Sequence, residues 1–180
     1  MRKYTLIILF IPLFLSACSD HRTETIGPKS IEEILEEYPD DVTQVTSFPF
    51  DQGESLGYII KWPDWNHRSL TLRYYAEGVE ADYEHPFNVT GEAVEYIVGT
   101  KRNLINEIED PGSLESYEKI QFDTQEVYYQ YFSEGNGGTI VWWDGQFERT
   151  LAYLEAPEKL EKSEFRTVLR DLYEDVLRGS

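Results

Sequence analysis

The sequence predicts an α+β domain: a twisted antiparallel sheet flanked by an N-terminal and a C-terminal amphipathic helix. Three observations carry this. Apolar residues recur at helical spacing at Ile31, Ile34, Leu35 and Tyr38, and again at Phe165, Val168, Leu169, Leu172, Val176 and Leu177. Between those two stretches the period falls to two, in segments short enough to be strands. Strong turn chemistry separates the segments, most clearly at Asp144-Gly145.

Each element has its own justification. Ser30-Ile31-Glu32-Glu33 is a capping-box pattern, with the cap hydroxyl three residues before a Glu. Pro39 ends that helix at or before Tyr38. Glu32, Glu33, Glu36 and Glu37 lie off its apolar face and form a solvated side. Leu56–Trp62 reads as a strand, and Ser69–Tyr75 as a half-buried one, with Leu70, Leu72 and Tyr74 alternating against Thr71, Arg73 and Tyr75. Gly78 marks a turn. Val79, Ala81 and Tyr83 then alternate against Glu80, Asp82 and Glu84, which predicts another strand. Ala93–Val98 fits a strand, whereas Thr100–Glu109 is compatible with helix or strand. Asp110-Pro111-Gly112 breaks the chain. Strands follow at about Glu118–Phe122, Glu126–Phe132, Thr139–Trp143 and Phe147–Leu154. The turn Glu134-Gly135-Asn136-Gly137-Gly138 tolerates positive φ at several positions. After Pro157 the closing helix is expected to start near Ser163 and to stop at Gly179. Its apolar face and that of the first helix should cover the same side of the sheet.

Leu15-Ser16-Ala17-Cys18 ends an apolar run that follows Arg2 and Lys3. A charged start, a short apolar middle and a small-residue cleavage region are the anatomy of a secretory signal. Thr5–Leu15 as a helix would span about 17 Å, short of a bilayer core of about 30 Å, so this is not a membrane-spanning anchor. The four residues resemble the lipobox of bacterial lipoprotein signal peptides. The resemblance implies cleavage before Cys18 and a diacylglyceryl group on its sulfur, often with a further amide-linked acyl chain such as palmitate. Two or more acyl chains give stable anchoring where one gives marginal binding. Cys18 is the sole cysteine, so lipidation also removes a free thiol from an oxidising compartment. The expected organisation is a signal peptide at 1–17, the lipidated Cys18 with a tether over 18–29, and a single domain over 30–180. The expected location is the cell membrane, lipid-anchored and facing outside the cytoplasm.

Loss of residues 1–17 takes Arg2 and Lys3 with it and moves the formal charge from −18 to −20. So acidic a chain lacks the basic face that nucleic acid requires. It is also repelled from lying flat on an anionic membrane. Thirteen Tyr, nine Phe and four Trp nonetheless supply a core, so the charge does not imply disorder. The domain is expected to be a monomer, because net charge of this size opposes self-association.

The sequence carries no recognisable catalytic or cofactor motif. His21, His67 and His85 are far apart and lack zinc spacing, so no metal site is expected. Asp110 and Asp144 supply one acid each beside a glycine, which fits turns better than calcium loops. There is no GxSxG elbow, no Ser-x-x-Lys, no GxxxxGK and no GxGxxG. Thirty-four acids guarantee accidental carboxylate pairs, so their number diagnoses no glycosidase. Asn88-Val89-Thr90 matches the N-glycosylation sequon, a chance match in a bacterial lipoprotein. No enzyme and no cofactor are expected.

The aromatics come in doubled pairs on strands: Tyr74-Tyr75, Tyr128-Tyr129 and Trp142-Trp143, with Trp62 and Trp65 flanking Pro63-Asp64. Neighbouring strand residues point to opposite faces, so one ring of each pair should leave the core. Trp65, Tyr75 and Trp143 are the candidates for an outward set that docks an envelope protein or stacks on a glycan. Core packing and cross-strand pairing are the competing explanation for the same rings.

The order Phe48-Pro49-Phe50, Ser69-Leu70-Thr71-Leu72-Arg73-Tyr74, Gly138-Thr139-Ile140-Val141-Trp142-Trp143-Asp144-Gly145 and a closing amphipathic helix resembles an uncharacterised domain of exported lipoproteins of Gram-positive bacteria. The resemblance covers about Val45 to Leu177 and implies no activity and no functional residues. Element order alone is also similar to that of lipoprotein-carrier-like curved sheets. The leading expectation is therefore a membrane-anchored, non-enzymatic binding or interaction domain. The alternatives are a carrier of a lipid or other hydrophobic ligand, and a carboxylate-based envelope hydrolase.

Overall fold

A computed structural model describes residues 22–113 and 117–179 of the chain. The expected signal segment, the lipobox and Cys18 lie outside the described residues. The elements in order are β1 Glu24–Lys29, α1 Ile31–Glu37, β2 Gln52–Trp62, β3 His67–Ala76, β4 Ala93–Gly99, α2 Asn103–Ile108, β5 Glu118–Phe122, β6 Gln125–Phe132, β7 Gly137–Trp143, β8 Glu148–Leu154 and α3 Lys162–Arg178.

The eight strands form one antiparallel sheet in the order β1-β2-β3-β4-β8-β7-β6-β5. It consists of two four-stranded meanders. The first runs outward-in from β1 to β4. The second has its last strand, β8, against β4, with Tyr96 opposite Leu151. Because each neighbour is antiparallel, hairpins and short connections suffice inside each half. The β7–β8 hairpin turns at Asp144-Gly145, where Gly145 has φ 102° and the Asp144 carboxylate accepts the amides of Gln146 at 2.8 Å and Phe147 at 2.7 Å.

One face of the sheet carries the main core. Ile59, Leu70, Leu72, Tyr96, Ile140, Leu151 and Tyr153 point towards α1 and α3 and meet Ile31, Ile34, Phe165, Leu169 and Leu172 in a single cluster. The α1 cap is made as its sequence dictates: the Ser30 hydroxyl accepts the Glu33 amide, and the Glu33 carboxylate accepts the Ser30 amide at 3.3 Å. Gly57 lets α1 approach β2, because a Cβ there would lie 2.4 Å from Ile34 Cγ2. Asp175 of α3 ties down the irregular stretch after α1, accepting from the backbone of Thr46 at 2.6 Å and Ser47 at 3.0 Å. Burial pushes the Asp175 carboxyl up, but these hydrogen bonds outweigh it and hold the group below its usual range.

Two expectations need correction. The tether does not reach Lys29, because Glu24–Lys29 is edge strand β1, with Ile26 opposite Ile59. Its Gly27-Pro28 pair disguised it, yet Pro is tolerated on an edge strand. Residues 79–83 are not a strand. Val79 and Ala81 do turn inward, but both edges of β3 are already occupied by β2 and β4. Without a free edge, 77–92 becomes a long connection that folds back over the sheet. The undecided stretch at Thr100–Glu109 contains helix α2.

Candidate functional site

The strand registers define two ends of the sheet. Trp62 faces His67, Ser69 faces Gly99, Gly99 faces Glu148, and Glu148 faces Trp143. These residues mark one end, and Glu24 opposite Lys61 brings the start of the described chain to it. The opposite end carries the β3–β4 connection, 77–92, and the turn between β6 and β7.

The three aromatic candidates do not form a common surface. Trp65 sits in a short 3-10 turn, Pro63–Trp65, at the tip between β2 and β3 and is 37% exposed. Trp143 is half-buried beneath α2, among Leu104, Ile105, Ile108 and Tyr128. Tyr75 is fully buried, which overturns its place in an outward set. The alternation argument was right about facing: Trp142 meets Tyr173 of α3 edge-on at 5.1 Å, while Trp143 takes the other side. It failed on exposure, because that other side is roofed twice, by α2 over Trp143 and by 77–92 over Tyr75.

The connection over Tyr75 is held by a buried charge pair that sequence reasoning missed. Arg73 is 2% exposed and Glu95 7%. The Arg73 guanidinium donates Nε–H to Glu95 at 2.9 Å and reaches the same carboxylate through Nη2. Its Nη1 donates to the carbonyls of Pro86 at 2.6 Å and Asn88 at 3.1 Å. One side chain thus fixes two points of the connection to the sheet. Burial alone would drive Arg73 towards neutrality; the facing Glu95 carboxylate outweighs it and keeps the guanidinium charged. Burial, with the Glu95 charge behind it, also pushes the neighbouring Tyr58 hydroxyl up. The available signal was an Arg and a Glu on adjacent strands at positions facing one side. The sequence pattern places Arg73 only in the alternation of its strand and does not single out Glu95.

Beneath the connection, Val79, Ala81 and Val89 pack on Leu56, Tyr58, Tyr75 and Ala93. Its outer surface differs. Tyr83 is 47% exposed and Phe87 52%, and both are braced. The Tyr83 hydroxyl donates to the Ser55 carbonyl at 3.2 Å, and the Phe87 ring meets Tyr58 edge-on at 5.2 Å. Asp82 accepts the amides of Glu84 at 3.0 Å and His85 at 2.8 Å, which fixes the turn between the two rings. Around them the segment holds Glu77, Glu80, Asp82, Glu84 and Glu92 and no Lys or Arg.

The buried carboxylates are all engaged in structure. Glu95 pairs with Arg73. Glu148 accepts the amides of Leu104 at 3.0 Å and Ile105 at 2.8 Å, capping α2. Burial raises the Glu148 carboxyl, and those two amides only partly offset it. Asp175 holds Thr46 and Ser47. Shallow clefts flank α3, one of about 200 Å³ at Tyr117, Tyr131 and Lys162 and one of about 290 Å³ at Phe122, Arg166 and Arg170. Among the described residues, no group of three or more His, Cys, Asp and Glu is placed to hold a metal ion. None of the described helices is long and apolar enough to cross a membrane.

No family model, curated protein or solved structure matches this chain. The functional reading therefore rests on its own residues.

Proposed function

We propose that this chain is an extracytoplasmic lipoprotein, anchored through lipid on Cys18, whose folded part is a non-enzymatic interaction domain. Its partner-facing element is the connection 77–92, and its partner is a basic protein of the envelope. The observation that carries the reading is the construction of that connection: Arg73 fixes its backbone from below, while Tyr83 and Phe87 stay open above. A pre-ordered loop loses little entropy on binding. Exposed aromatic rings give large contact area with few torsions to freeze. The surrounding acids favour a cationic surface and steer it in.

The position of the element supports the reading as well. It lies at the end of the sheet away from β1's Glu24, so a chain held at Cys18 would direct it outward. A carrier would need an apolar hollow between helices and sheet, and that space holds Phe165, Leu169, Leu172 and Trp142.

The test is a photo-reactive amino acid at position 87 in intact cells, with the same probe at Glu158 as control. The partner captured from position 87 is then purified and titrated against wild type and Tyr83→Ala/Phe87→Ala. Weakening by about 10-fold or more is expected, consistent with loss of a hot-spot pair, and wild-type affinity should fall with salt. Identical capture from both positions, or unchanged affinity of the double variant, would end the proposal. Fatty-acid labelling of wild type against Cys18→Ala tests the anchor separately; equal label in both would remove it.

A further inference from the structure

The tip between β2 and β3 lies where the chain enters the sheet. Glu24 is opposite Lys61, and the Arg22 amide donates to the Asp64 carboxylate at 3.3 Å. Four peptide steps separate Cys18 from Arg22, which reach about 14 Å when fully extended. A lipid on Cys18 therefore keeps the start of the fold at this tip within about 14 Å of the anchored residue.

The tip leaves an aromatic ring partly open to solvent, with Trp65 37% exposed. Pro63 opens its 3-10 turn, and Asn66 closes it in the left-handed region at φ 46°. Trp62 stacks on His67 at 4.8 Å with an interplanar angle of 18°, forming a stiff base. Lys101 donates to the Trp65 carbonyl and fixes the turn from the β4 side. Lys61 and Lys101 lie at the same end, while Arg22 is paired with Glu24 at 2.8 Å, Arg68 with Asp40 at 2.6 Å and Arg102 with Glu109 at 3.0 Å. The acids there include Asp64 and Asp123, buried Glu148 on the start of α2, and Glu24, Asp40, Glu109 and Asp144, the last four each paired with an Arg. The acid-only segment 77–92 sits at the other end of β3, whose ten residues span about 33 Å. That is several Debye lengths at ~0.15 M salt.

We propose that this tip docks on the phospholipid surface to which Cys18 is anchored, with Trp65 seated among the headgroups. The inference rests on the lipid-anchor reading. Indole rings favour the membrane–water interface, where the ring is half apolar and its N–H stays wet. Lys61 and Lys101 can lay their stems along the interface and keep their charge in water. The molecule then stands on end: the acidic segment faces away from the lipid, and its net charge does not oppose docking at this distance.

The test uses the chain from Cys18 with a phospholipid coupled through that single thiol, so it is independent of acylation in cells. Circular dichroism against protein purified from membranes checks its fold. Vesicles of phosphatidylglycerol and phosphatidylethanolamine are prepared with and without brominated acyl chains, and tryptophan emission is compared. Bromolipid quenching is expected in wild type and is expected to fall by more than half in Trp65→Phe. Phe87→Trp should add emission that bromolipid leaves unquenched. No quenching of vesicle-bound wild type, equal quenching in Trp65→Phe, or strong quenching of the added emission in Phe87→Trp would overturn the docking. Mass spectrometry of the Cys18 peptide from cells reports on the anchor by itself, so failure of either reading is seen separately.

Discussion

His67 is a single side chain with a readable pH signature. Its ring lies against Trp62, with Nδ1 3.1 Å from Thr100 Oγ1. Burial, aided by the charge of Lys101, lowers its pKa from 6.5 to about 4. Between those values the unfolded chain binds the proton and the folded chain does not. The stabilisation is full above pH 6.5 and is lost as pH falls towards 4, on the order of 2 kcal/mol after allowance for solvent screening. His67→Phe keeps a ring on Trp62 and removes the titration. The stability difference between wild type and variant, from urea melts across this window, should therefore change with pH; a constant difference would mean that His67 titrates as it does unfolded. Arg73 and Glu95 give a second case. Arg73→Met or Glu95→Leu alone leaves a buried charge without its partner and should cost about 3–5 kcal/mol. The double variant should cost less than either single change, as a double-mutant cycle would measure. Strict additivity would refute the pairing. At this scale the sequence told which face each aromatic takes, since alternation is geometric. It could not tell exposure, because what covers Tyr75 is decided by a connection sixteen residues long that no local pattern describes.

The elements were more legible than the site, for reasons each makes plain. The closing helix carries its apolar residues at a regular spacing, and α3 starts at Lys162, one residue from its expected start. Leu169 is fully buried in the main core. Leu169→Ala should cost about 2–5 kcal/mol in a denaturant melt, and a cost near zero would mean that the helix is not docked. The Asp144-Gly145 hairpin was readable from two residues, because few residue types accept Gly145's φ. β1 was hidden, since Glu24–Lys29 has one large aliphatic residue, Ile26, and a Gly-Pro pair. Gly57 was equally silent. Its small size matters only once α1 lies across β2. Gly57→Ala should force Ile34 aside and cost about 1–3 kcal/mol, the usual penalty for overpacking. An unchanged melting midpoint would show that α1 can move off the strand freely.

The whole molecule joins two meanders that depend on one core. Each half supplies a helix, α1 in the first and α3 in the second, but Ile31 and Ile34 share a cluster with Phe165 and Leu169. The halves meet along β4 and β8, paired in continuous register from Ala93 opposite Leu154 to Gly99 opposite Glu148. Neither half can expose that seam without uncovering Val94, Tyr96 and Leu151, all fully buried. Unfolding should therefore be a single event, with tryptophan fluorescence and circular dichroism giving coincident transitions. The covalent link between the halves contributes far less than the seam. Doubling the length of the segment between Ile108 and Glu118 by a Gly/Ser insertion after Ser113 adds only about 0.6 kcal/mol of closure entropy. Val94→Pro, by contrast, removes an amide from a central strand, costs about 3 kcal/mol or more and spoils the seam itself. The insertion variant should keep one transition with a slightly lower midpoint, whereas Val94→Pro should fail to give a folded baseline. Two resolved transitions in the insertion variant would mean that each meander folds as a unit and that the shared core does not bind them together.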